Sequence, residues 1–220
     1  PNLWKRRHLL GLQDLTAAEI TVILDEAARY KAQWNAGETK FDDLRGVAVA
    51  NLFFEPSTRT KTSFSLAAKR LSADTVDFTA STSSLTKGET FIDTALNIQA
   101  MGVHQMVVRH STSGAPEQLA REVNCSIINA GDGTHEHPTQ GLLDCLTIRR
   151  ALGRIAGLRV AIVGDIANSR VARSALHALT TLGASVRLVG PPTLLPRSFA
   201  GVPANAENVS ISHDLDAELP

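Results

Sequence analysis

The sequence predicts an α/β fold made of two parallel-sheet domains, the second of them truncated. Short apolar runs alternate along the chain with longer segments of helical periodicity. The run at 46–54 is almost continuously apolar, as in a strand that is covered on both faces. After the Gly-containing segment 153–157 the same alternation begins again at Arg159, which indicates a second sheet.

The first domain is predicted to span residues 1–152. A helix opens with a capping box, because Thr16 precedes Glu19 by three residues just before an apolar-periodic segment. The strand at 46–54 leads into a helix over 57–71, whose apolar side chains recur at helical spacing. The remaining elements alternate: strands at 75–79, 103–108 and 126–129, and helices at 89–100, 116–123 and 138–152.

The second domain is predicted to span residues 153–220. It begins with a strand from Arg159, followed by a helix over 169–182 and a strand at 185–190. A further strand, NVSISH, and a helix start at Asp214 complete the pattern. A domain of about 70 residues with two or three strands is expected to be unfinished.

The composition is that of a soluble globular protein, with 43% hydrophobic and 20% charged residues. The 22 basic residues balance the 22 acidic ones, so no global basic field favours nucleic acid or an anionic membrane. Any recognition of anions must therefore come from local clusters.

The cysteines and the apolar runs favour a cytoplasmic protein. Cys125 and Cys145 lie among apolar neighbours, which favours two buried free thiols in a reducing compartment over the alternative of a structural disulfide. No apolar run reaches membrane-spanning length, and the first residues do not resemble a secretory signal.

The stretch FFEPSTRTKTS at 53–63 is the most informative one in the chain. It follows a predicted buried strand and opens a helix, where free backbone N–H groups and the helix dipole favour an anion. Three hydroxyls and the guanidinium of Arg59 lie within Ser57 to Thr60. The alternative, an ordinary helix cap with a surface arginine, explains one hydroxyl but not the whole cluster, so we predict a phosphate site.

Other polar clusters also follow predicted strands. The loop SSLTKGET (83–90) reads by itself as a flexible loop with a capping residue, and Arg109-His110 stands directly after a strand. In THEHPTQ (134–140), Pro138 at a helix start places His137 and Gln140 near the first turn. The pair His135 and His137 allows a metal site, but no third ligand has suitable spacing, so no metal is expected.

The segment VGDIANSRVARS (163–174) is similar to a Rossmann first turn but lacks the further glycines of that motif. Dinucleotide binding is therefore poorly supported. Asn168, Ser169 and Arg170 could instead hold an anionic substrate, and a plain helix cap is nearly as good an explanation from the residues alone.

Together these motifs resemble the aspartate/ornithine carbamoyltransferase family over essentially the whole chain. FFEPSTRT matches the carbamoyl-phosphate signature of the family, and Arg109-His110, HPTQ and GDIANSR follow in the expected order. Thr139 in HPTQ and Lys87 in KGET favour aspartate over ornithine as the acceptor. The resemblance implies transfer of a carbamoyl group from carbamoyl phosphate to L-aspartate, an early step of pyrimidine biosynthesis.

The resemblance also implies residue roles. The phosphate would be held by Ser57, Thr58, Arg59 and Thr60, and Arg59 would also stabilise the leaving group. The carbamoyl oxygen would be contacted by Thr60, Arg109 and His137, and the carbamoyl nitrogen by Gln140. Aspartate would be bound by Lys87 and Arg170. Ser83 (Ser84 is the alternative) and Lys87 would come from a neighbouring subunit, which makes a homotrimer the expected active unit.

The family implies no metal and no other cofactor, and assembly with regulatory or other pyrimidine-pathway chains is open. Family chains run to about 300 residues, so this one is expected to stop inside the aspartate-binding half. Alternative functions are a carbamoyltransferase with another amine acceptor and a non-catalytic scaffold homologue.

Overall fold

The structure is a computed structural model that describes residues 4–79, 90–201 and 206–218. Two compact units are formed, and each is described by itself. The first unit consists of residues 6–10, 29–79 and 90–133. The second unit consists of residues 4–5 and 11–28 together with the described residues from 134 onward.

Helix α1 (Ala17–Asn35) begins at the predicted capping box. The Thr16 N–H donates to Glu19 Oε2 at 2.9 Å, and the Glu19 N–H donates back to Thr16 Oγ1 at 3.2 Å. Two of the backbone donors that a helix start leaves without partners are thereby satisfied, so the predicted start of the helix is confirmed.

The first unit contains a parallel four-stranded sheet in the order β2-β1-β3-β4. Its strands are β1 (Ala48–Phe53), β2 (Asp74–Thr79), β3 (Gln105–His110) and β4 (Ser126–Asp132). Its connecting helices are α2 (Thr58–Arg70), α3 (Phe91–Ala100) and α4 (Ala115–Glu122). The predicted alternation of strands and helices, and the parallel sheet, are confirmed.

The side chains of β1 are buried on both faces of this sheet. Ala50 and Leu52 belong to one apolar cluster, and Val49 and Phe53 belong to another. Because successive strand residues point to opposite faces, this is the pattern that a central strand requires. Burial of a side chain such as Leu52 stabilises the fold by about 2 kcal/mol.

The second unit contains a parallel three-stranded sheet in the order β5-β6-β7. Its strands are β5 (Arg159–Val163), β6 (Ser185–Val189) and β7 (Val209–Ser212). Helix α5 (Pro138–Leu152) ends at Gly153, whose φ of +72° suits glycine, and α6 (Arg170–Thr181) follows β5. Helix α5 thus falls in the unit of the second sheet, whereas the sequence assigns it to the first domain. The domain boundary after residue 152 stays a prediction.

Helices α5 and α6 approach closely at Gly141. A Cβ atom added there would lie 3.0 Å from Ser174 Cβ and 2.9 Å from Leu12 Cδ1. The glycine therefore lets the start of α5 lie directly against α6, within the second unit.

Two strands extend further than predicted, and one predicted helix is shorter. Strand β3 continues through Arg109 and His110, and β4 continues to Asp132, whereas the apolar runs end earlier. The two strands stay paired there across a register shift, with His110 opposite Asp132, so backbone pairing outlasts the apolar pattern. The predicted helix at Asp214 is only a short 3₁₀ turn, Asp216–Glu218.

Both cysteines, Cys125 and Cys145, are buried free thiols, as the sequence predicts. Burial raises the pKa of the Cys145 thiol to about 12, so this thiol is not a nucleophile at neutral pH. Among the helices in the described residues, none has the length and apolar character needed to cross a bilayer.

Candidate active site

The strand order of the first unit creates a switch point between β1 and β3. From β1 the chain first adds β2 on one side and then returns to place β3 on the other side. In open parallel sheets, ligands bind outside the carboxyl ends of the two strands at such a point. The residues that follow β1 and those that end β3 are therefore the candidates for a binding site.

Helix α2 begins directly after β1 with its first turn available to a ligand. Ser57 occupies the N-cap position, but its side chain makes no capping hydrogen bond in the described structure. Thr58 and Arg59 are exposed, and Thr60 is half-buried. The N–H groups of this turn and the positive end of the helix dipole thus remain open to an anion. This arrangement differs from the plain serine cap that was the alternative explanation.

Arg109, the penultimate residue of β3, lies beside this turn. Its Nη1 donates to Thr60 Oγ1 at 3.3 Å, and its Nη2 forms an ion pair with Glu55 Oε1 at 2.8 Å. The Arg109 side chain is only 11% exposed, and its buried Nε donates to no group in the described residues. Glu55 therefore orients the guanidinium, while other N–H groups of Arg109 remain for a ligand.

His110 is part of an aromatic cluster behind Arg109. Its ring centroid lies 5.0 Å from that of Phe91 and 5.5 Å from that of Phe54, and its Nδ1 accepts the Thr112 N–H at 2.9 Å. Burial lowers the pKa of His110 below its ordinary 6.5, against an opposing effect of the carboxylates of Asp132 and Glu55. The imidazole is therefore neutral at pH 7, with Nδ1 as an acceptor.

The loop after β3 is held by the buried carboxylate of Asp132 at the end of β4. Asp132 Oδ2 accepts the Gly114 N–H at 2.6 Å, and its Oδ1 accepts from Asn129 Nδ2 at 2.8 Å. Next to it, a Cβ atom on Gly133 would lie 2.7 Å from the Ser113 backbone nitrogen, at a φ of +46°. These contacts fix the backbone that follows Arg109 and His110.

In the second unit, His137 and Gln140 lie at the first turn of α5, as predicted. His137 is the N-cap residue, and Gln140 is the third helical residue. The His137 N–H donates to Ser174 Oγ at 2.8 Å, and Ser174 Oγ donates in turn to Glu136 Oε2 at 2.7 Å. Helix α6 thus holds the start of α5 through one serine.

Glu136 is a buried carboxylate that ties this helix start to the turn at 11–13. It is 1% exposed, and both of its oxygens accept the Leu12 N–H, at 2.9 and 3.0 Å. Its Oε1 also accepts the Gln13 N–H at 3.3 Å. A Cβ atom on Gly11 would clash with Glu136 Oε1, and because hydrogen bonds hold this carboxylate in place, the turn favours glycine. Loss of this acceptor would leave several donors without a partner, and each would reduce the stability by about 1–3 kcal/mol.

The start of helix α6 shows the helix cap, one of the two explanations that the sequence left open. Ser169 caps the helix, since its Oγ accepts the Ala172 N–H at 3.1 Å, and Asn168 Nδ2 donates to the carboxylate of Asp165. Ser169 and Asn168, two of the residues proposed for an anionic substrate, thus take part in the local structure of this helix start. Arg170 is the first residue of the helix and stays the predicted carboxylate ligand.

The structure brings together some of the predicted site residues. Thr60 and Arg109 are in contact, and Ser57 to Arg59 belong to the same helix start. His137, Gln140 and Arg170 belong to the second unit. Ser83 and Lys87, predicted to act in a neighbouring subunit, lie outside the described residues.

Sequence reasoning missed the three acidic residues Glu55, Asp132 and Glu136. Each lies in or near one of the polar motifs, but the sequence pattern of a carboxylate among polar residues is that of a solvated side chain. The burial of Asp132 and Glu136, and the donors that all three carboxylates bind, reveal them as residues that orient the site.

The fold and the site define a class of protein. A parallel α/β domain with a helix start and a preoriented arginine at its switch point is built to bind a phosphorylated small molecule. Residues 7–150 match the model of the carbamoyl-phosphate-binding domain of aspartate/ornithine carbamoyltransferases. The chain belongs to the aspartate/ornithine carbamoyltransferase family.

Curated relatives are aspartate carbamoyltransferase catalytic subunits. That of Geobacter sulfurreducens is 58% identical over 212 residues, which cover 96% of this chain and 67% of the relative. That of Gluconobacter oxydans is 54% identical over 213 residues, which cover 97% of this chain and 67% of the relative. For Geotalea daltonii, the match covers 88% of this chain and 62% of the relative. The chain thus spans about two thirds of the length of these relatives.

Solved structures of the same class match the fold. Aspartate transcarbamoylase from Trypanosoma cruzi, in complex with carbamoyl phosphate and aspartate, matches with a TM-score of 0.87 at 31% identity. That match covers 96% of this chain and 68% of the other. The catalytic subunit of M. jannaschii aspartate transcarbamoylase matches with a TM-score of 0.85 at 36% identity, over 98% of this chain and 71% of the other.

We predict that the pKa of His110 lies below its ordinary 6.5 and that, because of this residue, the protein loses stability on acidification. Between the folded and unfolded pKa values the unfolded chain binds the extra proton, so His110 lowers the free energy of unfolding as the pH falls below about 6.5. NMR titration of the imidazole would measure the midpoint directly. In His110→Gln, denaturation between pH 7 and 5 should show a shallower loss of stability. A midpoint at or above 6.5 would contradict the prediction.

Proposed function

We propose that the protein transfers the carbamoyl group of carbamoyl phosphate to the amine of L-aspartate, giving N-carbamoyl-L-aspartate and phosphate. In a cell this would be an early step of pyrimidine biosynthesis in the cytoplasm. The relatives carry the name of this enzyme, and a T. cruzi structure of it holds both substrates. The observation in this chain that carries the proposal is the anion cradle: the open first turn of α2 beside the oriented Arg109.

In this proposal the phosphate binds at Ser57, Thr58, Arg59 and Thr60. Backbone N–H groups and hydroxyls at a helix start suit a phosphate of high charge, and Arg59 adds a guanidinium on an exposed side chain. Charge grows on the bridging oxygen as phosphate leaves. Arg59 and the helix dipole then stabilise the leaving phosphate more strongly than the bound acyl phosphate, which lowers the barrier.

The carbamoyl group is assigned to Thr60, Arg109, His137 and Gln140. When the aspartate amine attacks the carbamoyl carbon, the C–N bond forms and the carbonyl oxygen takes up negative charge. Donors held in place before the reaction stabilise that charge without reorganisation, and Glu55 holds Arg109 in this way. The C–O bond to phosphate then breaks, and the departing phosphate takes the proton of the amine. Protein groups mainly position and neutralise the reactants.

Aspartate is assigned to Arg170, at the start of α6, and to Lys87. Ser83 and Lys87 are proposed to enter the site of a neighbouring subunit, so that a homotrimer is the active unit. Larger assemblies with regulatory or other pyrimidine-pathway chains are compatible with this proposal.

An acceptor panel tests the proposed reaction. With carbamoyl phosphate as donor, L-aspartate should give carbamoyl-aspartate together with one equivalent of phosphate. L-ornithine and other amines should give little product, because the predicted acceptor ligands Arg170 and Lys87 are two cations that suit the two carboxylates of aspartate, whereas ornithine has one carboxylate and a cationic side chain. Product formation by mass spectrometry, together with released phosphate, measures this. Turnover of another amine alone would favour a carbamoyltransferase with another acceptor. Binding of carbamoyl phosphate without turnover of any amine would favour a non-catalytic scaffold homologue.

Replacing Arg59 tests the phosphate cradle. Arg59→Ala should weaken binding of inorganic phosphate and slow carbamoyl transfer, the latter by about 10²–10³-fold, since one transition-state charge contact is lost. Arg45→Ala is the matched control, because Arg45 is an exposed arginine paired with Asp42 at 2.7 Å, away from the helix start. Equal activity of Arg59→Ala and the control would remove Arg59 from the site.

Mixed oligomers test the shared site. Lys87→Ala and Arg59→Ala chains should each be nearly inactive as homo-oligomers. After the two are dissociated together and reassembled, some sites would combine an intact Arg59 of one chain with an intact Lys87 of its neighbour, and activity should return. If the mixture stays as inactive as its components, both residues act in the same chain and the shared site is refuted.

A further inference from the structure

Helix α5 contains a hydrogen bond that determines how the carboxamide of Gln140 is oriented. Gln140 Nε2 donates to Asp144 Oδ1 at 2.9 Å, from one turn of the helix to the next. An ionised carboxylate only accepts hydrogen bonds, so it must face the NH₂ end of the amide and not the carbonyl end. The chemistry of the pair therefore fixes which end of Gln140 points away from Asp144.

The carbonyl end of Gln140 is left open by this contact. Its Oε1 accepts no hydrogen bond from any described residue. This oxygen is accessible and not a buried atom without a partner. Gln140 is half-buried and belongs to the first turn of α5, directly after His137 and Pro138. An oriented acceptor, without a donor of its own, is thus available to a ligand N–H at this helix start.

The surroundings of Asp144 make a carboxylate there unfavourable for the stability of the fold. It borders a largely apolar cavity of about 340 Å³ whose lining includes Ile148, Val160 and Ile162. Burial there raises the pKa of Asp144 above its ordinary 3.8, and the Gln140 hydrogen bond offsets this only in part. A half-buried carboxylate that makes one hydrogen bond to a neutral amide is a costly way to join two helical turns. Its effect on the orientation of Gln140 gives a reason for the charge.

We propose that Asp144 is a positioning residue that holds Gln140 Oε1 toward an N–H of the carbamoyl group and so makes the site prefer carbamoyl phosphate to acetyl phosphate. This inference rests on the proposed function, in which Gln140 contacts the carbamoyl nitrogen. Acetyl phosphate has the same carbonyl and phosphate but a methyl group in place of NH₂. It therefore gains nothing from an oriented acceptor, and a free carboxamide would lose the distinction between the two ligands.

The experiment measures the dissociation constants of carbamoyl phosphate, acetyl phosphate and inorganic phosphate for the full-length protein. Four variants are compared with the native protein: Asp144→Ala, Asp144→Asn, Gln140→Ala and the double variant Asp144→Ala/Gln140→Ala. Glu117→Ala is the matched control. It breaks a helical pair of the same spacing in α4, where Arg121 Nη2 contacts Glu117 Oε1 at 2.6 Å.

The expected result is a loss of selectivity without a loss of phosphate binding. Asp144→Ala and Gln140→Ala should each lower the ratio of carbamoyl to acetyl affinity by about 3- to 10-fold, as for one hydrogen bond. The double variant should lower it no further than Gln140→Ala, because Asp144 acts through Gln140. Asp144→Asn should fall between native and Asp144→Ala, since asparagine offers either an acceptor or a donor. Glu117→Ala should leave the ratio unchanged.

Other outcomes overturn the inference in distinguishable ways. If Asp144→Ala and Asp144→Asn keep the native ratio, or lower both affinities equally along with the melting temperature, Asp144 is only structural. If the ratio falls further in the double variant than in Gln140→Ala, Asp144 acts on the ligand without Gln140. If the native protein binds carbamoyl phosphate no better than inorganic phosphate, the proposed function fails, and this inference fails with it.

Discussion

The pairing of β1 with β3 is the constraint on which the phosphate-binding half of the site depends. Phe53 lies opposite Arg109 in the parallel register, and the Phe54 N–H donates to the Arg109 carbonyl oxygen at 2.9 Å. This pairing delivers Glu55 and the first turn of α2 to the side of Arg109. A slip of one residue in either strand would turn Arg109 to the other face of the sheet and separate it from Thr60.

Three carboxylates fix the positions of the groups around the predicted site residues. Glu55 orients a guanidinium, Asp132 holds the loop after β3, and Glu136 holds the start of α5. Asp132 and Glu136 are buried, and each accepts hydrogen bonds from several fixed donors, which stabilises the carboxylate inside the protein and makes the backbone around it rigid. Preorganised donors of this kind are what the proposed chemistry requires, because carbamoyl transfer needs charge stabilisation at fixed points and no change of oxidation state.

Asp144 differs from these three carboxylates in having a single neutral partner. Its contribution to stability is correspondingly small, and its contribution to the direction of one amide is definite. Selectivity between two ligands of nearly equal shape can be achieved this way, because rejection of the wrong ligand depends on an acceptor that finds no N–H to bind. In this proposal, the same side chain lowers the folding stability and raises the selectivity for the ligand.

Elements that depend on local physics could be predicted from the sequence alone. Capping at Thr16, the apolar run of β1, the proline at the start of α5 and the glycine at its end each act within a few residues, so patterns predict them well. Helix-start chemistry likewise predicted an anion at Ser57 to Thr60. The strand order, the continuation of β3 through Arg109, and the partners of Glu55, Asp132 and Glu136 become visible only in the folded chain. Those contacts join residues far apart in the chain, and no local pattern shows whether a carboxylate meets water or a buried donor.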